Sequence, residues 1–96
     1  MSRRDVFPTC GFALVILRNF DGRYLAVNET KGRGWWVPGG GINFTETFQE
    51  CAIRETLEEG GIKVTLKGVL RVEHSEANKY GSRMRVIFYA EPKDDK

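Results

Sequence analysis

The sequence predicts a single α/β domain of the mixed-sheet, α+β kind, spanning residues 1–96, with one helix against the sheet. Three observations predict it. The first is a stretch with helical capping signals at both ends, Gly40 to Ile62. The second is a set of short runs rich in β-forming residues on either side of that stretch. The third is length and composition: 96 residues suit one domain, and 41% hydrophobic content with 11% aromatics excludes disorder as the main state. No internal repeat is present.

Taking the elements in order, Ser2 to Asp5 reads as an edge segment with two arginines. Thr9 to Arg18 is a near-continuous apolar run, which predicts a buried strand. Asp21-Gly22 is a turn signal, so Arg23 to Asn28 is expected to return as its hairpin partner. Lys31 to Gly34 reads as a flexible basic loop. Trp35-Trp36-Val37-Pro38 leads into a triple glycine, Gly39 to Gly41, where backbone can approach a ligand or metal closely.

Thr47 and Glu50 have capping-box spacing, so a helix is expected from Phe48. Gly60 and Gly61 sit where a left-handed residue would end it. After it, Ile62 to Leu66 and Gly68 to His74 read as two strands, Ser75 to Ser82 as a polar loop, and Arg83 to Tyr89 as a strong strand. On a helical projection Glu55, Glu58 and Glu59 share one arc, and Cys51 and Ala52 lie on that side a turn earlier. Ile53 and Leu57 fall on the opposite side, which predicts a helix clasped on two sides.

The acids of this helix run against local economy. Like charges one turn apart cost a few tenths of a kcal/mol per pair. They also crowd the helix C-terminus, where the macrodipole disfavours anions. A hard divalent cation reverses both terms, and all-oxygen ligands suit Mg²⁺ or Mn²⁺. A solvated acidic face is the plain alternative for the glutamates alone.

Spacing adds more. Gly40, Glu46, Arg54-Glu55, Glu58-Glu59 and Gly61-Ile62 stand at intervals that resemble the signature of the Nudix hydrolases, GX5EX7REUXEEXGU, with every fixed letter matched. At about 6–7% usage per residue type, a chance match at one register is on the order of 10⁻⁸. Thr56 stands where the signature has a bulky aliphatic residue, a position that packs and does no chemistry. The W-x-x-P-G-G-G lead-in is similar to that of many members. The family's usual Pro-Gly turn before the box glutamate is replaced by Asn43-Phe44-Thr45.

The resemblance implies a Mg²⁺- or Mn²⁺-dependent pyrophosphohydrolase cleaving a nucleoside diphosphate linked to another group. It implies metal ligation by Glu55, Glu58 and Glu59 with the Gly40 carbonyl, orientation of these glutamates by Arg54, and support of Arg54 by Glu46. It also implies an α/β/α sandwich. The similar region runs from Phe12 to Ala90, so the further strand and helix of the family are expected to be missing and the domain to be C-terminally short. A sheet with a bare apolar face then predicts either a shortened form of a longer protein or self-association, with a homodimer covering that face as one option. The alternative is a catalytically weak nucleotide-binding or regulatory module of the same fold.

Candidate substrate contacts are Arg33, Trp36, Tyr80, Arg83 and Arg85, and Glu73, Glu76 and Glu91 are candidates for a further metal ligand. His74, the only histidine, reads as a polar residue near a loop. The net charge of +2 makes no case for a duplex nucleic-acid coat or a membrane patch. Cys10 and Cys51 have no metal-binding spacing, and Cys51 reads as a small buried residue. No leader or membrane span stands out, which predicts a cytoplasmic protein. The resemblance implies a small nucleotide-type substrate.

Overall fold

The computed structural model describes residues 8–29 and 34–94. The elements are β1 (Thr9–Leu17), β2 (Val27–Glu29), β3 (Gly34–Trp36), β4 (Gly39–Gly41), α1 (Phe48–Gly60), β5 (Val64–Asn78) and β6 (Gly81–Pro92). The central sheet has the order β4-β1-β6-β5, and β2 pairs with β3 separately. β1 runs parallel to β6 and antiparallel to β4, so the sheet is mixed.

Alternation along β1 decides what the sheet covers. Ala13, Val15 and Leu17 point to one face and are buried. Their partners on β6 are Val86, Phe88 and Ala90, also buried. Cys51 and Ala52 of α1 close this core, together with Val64. Phe12, Leu14 and Ile16, with Ile87 and Tyr89, lie on the opposite face and are half-buried. The described residues contain one helix, on one face of the sheet.

The helix forms where its caps predict. The Thr47 hydroxyl accepts from the Glu50 N–H at 3.0 Å and Glu50 returns the bond to the Thr47 N–H at 2.8 Å. Gly61 closes the other end in the left-handed conformation, φ 70°. Thr56 is fully buried, and its hydroxyl donates to the Ala52 carbonyl at 2.8 Å, which satisfies the one polar atom that an aliphatic residue would lack.

Three local expectations need correction. Val64 to Asn78 is one strand rather than two strands and a loop, because register shifts at Leu66/Gly68, Val69/Arg71 and Ser75/Asn78 absorb the glycine and polar residues as bulges. The connection to β6 shrinks to a tight turn between Asn78 and Gly81. Arg23 to Asn28 is not a full hairpin partner of β1. It touches β1 only through an Arg18–Tyr24 bridge and a Leu25 N–H to Leu17 carbonyl bond, after which Val27–Glu29 joins β3. Ile53 and Leu57 are 40% and 43% exposed, so no described residue clasps that side of the helix. The basic loop falls mostly on residues 30–33, outside the described residues.

Thr45 has φ 70°, the only non-glycine residue among those described in the left-handed region. That conformation costs a β-branched residue about 1–2 kcal/mol, and the extra unfolded-state freedom of glycine returns part of any gain. Thr45→Gly is therefore expected to raise the unfolding free energy by about 0.5–1 kcal/mol. Urea denaturation of the two proteins checks this, and an unchanged or lower midpoint for the variant contradicts it.

Candidate active site

The site is built on the contact between α1 and β4. β4 is three glycines, and it pairs with β1 through Phe12–Gly41, Ala13–Gly40 and Leu14–Gly39. A Cβ at Gly40 would stand 2.2 Å from the Glu55 Oε2 atom. Only a bare backbone lets that carboxylate lie against the strand. Glu59 reaches the same strand, its Oε1 accepting from the Gly39 N–H at 2.8 Å.

Arg54 joins these groups. Its Nε and Nη2 grip both oxygens of Glu46 at 2.7 and 3.0 Å. Its Nη1 donates to Glu55 at 2.5 Å and to Glu58 at 2.8 Å. Nη2 also donates to the Gly41 carbonyl at 3.2 Å, which ties helix to strand. The planar fork suits this work, since it serves several acceptors at fixed angles. Glu46 is held from its other side by the Asn43 N–H at 2.9 Å. The buried Cys51 thiol donates towards the Gly40 and Gly41 carbonyls at 3.4 and 3.5 Å.

The electrostatics follow the contacts. The Arg54 fork, aided by the Asn43 N–H, holds the Glu46 carboxyl at about 2, far below the usual 4.5. Glu46, with Glu55 and Glu58, pushes the Arg54 guanidinium well above its ordinary value, so it stays charged. Burial pushes Glu55 up, Arg54 pulls it back, and Glu59 and Glu58 push it further up. Burial and the Glu46 charge raise the Cys51 thiol.

The donor set is chemically fit for a hard divalent cation: carboxylates of Glu55, Glu58 and Glu59 beside a glycine cradle that a Cβ would fill. Among the described residues, no three acidic, histidine or cysteine side chains converge on one point. Arg54 accounts for this, since it holds one oxygen each of Glu55 and Glu58 while Glu59 turns to Gly39.

The other candidate residues are dispersed. Trp36 is 54% exposed on β3 and Tyr80 is 74% exposed at the β5–β6 turn. The Arg83 guanidinium stacks over the Phe12 ring at 4.8 Å, and Arg85 pairs with Glu73. Among the described residues, no hydrogen bond or ion pair links these four to Glu46, Glu55, Glu58 or Glu59. Arg33 lies outside the described residues. His74 lies within β5 opposite Met84. Glu91 lies 3.9 Å from the Lys67 ammonium, and Glu76 is exposed. Residue-by-residue reading missed the N–H of Gly39, the carbonyl of Gly41, the N–H of Asn43 and the thiol of Cys51 as site atoms. The triple glycine was the one available signal.

Residues 10–96 match the NUDIX domain family. The chain belongs to that family. Across 49 residues it is 37% identical to an RNA pyrophosphohydrolase of Baumannia cicadellinicola subsp. Homalodisca coagulata, a match over 51% of this chain and 31% of that protein. A Bacillus subtilis pyrophosphohydrolase superimposes with a TM-score of 0.74 at 26% identity, covering 86% of this chain and 51% of that one. A Nudix-family hydrolase from Clostridium perfringens gives 0.71 at 19% identity, over 88% and 69%. The chain thus spans about a third of the curated relative and half to two-thirds of these structures. The Nudix box is the segment from Gly40 to Ile62, and members of the family generally use divalent metals.

A pH dependence follows from Glu46. Its folded-state pKa is depressed, so the unfolded chain binds more protons and folding stability rises with pH in that window. The contribution is complete above about 4.5 and is lost as pH falls to about 2. Unfolding free energies of Glu46→Gln, measured in chelator across that window, are expected to be lower and less pH-dependent than those of the parent. Equal slopes for both proteins contradict the Arg54–Glu46 assignment.

Proposed function

We propose that the chain is a Mg²⁺- or Mn²⁺-dependent pyrophosphohydrolase that cleaves a nucleoside diphosphate linked to another group. The observation that carries this reading is Arg54, whose fork bonds three of the box glutamates, Glu46, Glu55 and Glu58, and the carbonyl of Gly41. A structural ion-pair network would have no use for a carboxylate pressed against a glycine Cα.

Glu55, Glu58 and Glu59, with the Gly40 carbonyl, would hold the cation. When bound, such a cation polarises a phosphoryl oxygen and acidifies a water. The chain's own residues do the rest. Arg54 bonds Glu55 and Glu58, offsets their mutual repulsion and sets their directions. Glu46 keeps Arg54 from swinging toward an incoming phosphate. Glu58 is 57% exposed, so water reaches its carboxylate, and a carboxylate so placed takes the proton of an attacking water. The water oxygen bonds to phosphorus as the bridging P–O bond of the pyrophosphate breaks, and the leaving phosphate oxygen takes the electron pair.

An open cleft of about 490 Å³ borders Phe12, Gly41, Ile42, Phe48 and Met84. It shares Gly41 with the Arg54 bond, and its apolar lining suits the organic part of a substrate. Similarity to an RNA pyrophosphohydrolase supports adding RNA with a 5′-pyrophosphate to the candidate substrates. Oxidised nucleotides, sugar-linked nucleoside diphosphates and dinucleoside polyphosphates stand beside it.

Product release from this panel is measured with Mg²⁺, with Mn²⁺ and with chelator, for the parent, Glu58→Gln and Glu59→Gln. Metal-dependent turnover reduced about 10²-fold or more in each variant is expected, the usual scale for a lost acid–base or metal-holding group. No turnover in the folded parent favours the nucleotide-binding or regulatory module instead.

A further inference from the structure

β5 is the outermost strand of the central sheet, and its outer edge has no partner among the described residues. It is 15 residues long, against a usual strand of about 5–6. Val69, Leu70 and Val72 on it are 55%, 58% and 53% exposed. A long edge with open backbone groups and apolar side chains is a template for another strand.

We propose that β5 pairs antiparallel with β5 of a second copy, about a two-fold axis through Val72, joining two four-stranded sheets into one. The charge order around Val72 sets this choice. Val72 lies opposite Val86 and so shares the α1 face of the sheet. Arg71 and Glu73 lie opposite Ile87 and Arg85, on the other face. About an axis through Val72, Arg71 faces the second copy's Glu73, Glu73 faces the second copy's Arg71, and Val72 faces its own counterpart. The patch is self-complementary, as a two-fold contact requires.

Neighbouring registers fail. Moving the axis one residue sets Arg71 against Arg71 or Glu73 against Glu73, and like charges directly opposite destabilise a strand pair. The backbone permits the favoured register, because Arg71 to Ser75 pairs with β6 without a shift. The bulges at Val69/Arg71 and Ser75/Asn78 bound that regular stretch and confine the contact to it. Arg71 is already engaged by one carboxylate, and its exposure leaves room for a second. It bonds Glu73 of its own chain through Nε at 3.0 Å, and its side chain is 71% exposed. This contact covers the sheet edge and leaves the carboxylate site on the β4 side untouched, so it stands independently of the proposed reaction.

Sedimentation velocity over a concentration series tests it. The parent is expected to pass from monomer to dimer with rising concentration. Val72→Lys, which places two lysines against each other on the axis, is expected to stay monomeric with an unchanged far-ultraviolet circular dichroism spectrum. In a Cys10→Ser background, Val72→Cys is expected to oxidise to a disulfide-linked dimer, because directly opposed Cβ atoms come within about 4.5–5.5 Å and little movement closes the bond. Val69→Cys in the same background is the off-axis comparison and is expected to cross-link far less. A parent that is monomeric throughout, a dimer that survives Val72→Lys, or equal cross-linking of the two cysteine variants each overturns the proposal. If Val72→Lys unfolds, the cysteine pair still decides it.

Discussion

Everything at the site depends on the fork of Arg54. One guanidinium meets both oxygens of Glu46, one oxygen each of Glu55 and Glu58, and the carbonyl of Gly41. Without it, the helix would present clustered anions at its own negative end. Each like-charge pair costs a few tenths of a kcal/mol, while a hydrogen bond to a charged group contributes about 1.5–3. The arginine therefore outweighs the repulsion it sits in, and the acids it bonds are held in fixed directions. Its side chain is only 26% exposed, so water competes weakly for the same donors.

That arrangement needs the strand beside it to be bare. β4 has no side chains, and the Gly40 Cα is what Glu55 rests against. The backbone left uncovered is then engaged from the helix side. Glu59 takes the Gly39 N–H, Arg54 takes the Gly41 carbonyl, and Cys51 donates to the carbonyls of Gly40 and Gly41. The core fixes the distance between them. Cys51 and Ala52 are fully buried against Ala13 and Val15, and small residues there let α1 come close enough for Glu55 to reach. Packing and chemistry are thus set by the same helix, on adjacent faces.

Much of this was legible in the sequence, for a physical reason. The caps of α1, the burial of Cys51 and the packing role of Thr56 are local properties, decided by residues within a turn or two. The box spacing is also local, because a helix converts i, i+3 and i+4 into neighbours. What failed was pairing over distance. Gly68 and the polar run from Ser75 read as breaks in β5, yet β6 pairs with β5 on both sides of each and turns the breaks into bulges. Val27–Glu29 left β1 for β3 by the same logic, since a better-placed strand took it. Ile53 and Leu57 read as a second packing face, and no local signal says whether a partner is present.

The same distinction separates the acids from the residues that would choose a substrate. Phe12 stands beside Gly41 on one side and Arg85 on the other, in a row that crosses β4, β1 and β6. Those residues are 29 and 73 positions from Phe12 in the chain, by the differences 41 − 12 and 85 − 12. Their juxtaposition comes from the parallel register of β1 on β6, which no short motif encodes. Within that row Arg85 is already bound to Glu73, whereas Arg83 lies over an aromatic ring with its charge unopposed by a carboxylate among the described residues. A stacked guanidinium is oriented without being neutralised. Of the two arginines, Arg83 is therefore the one whose charge no carboxylate among the described residues answers.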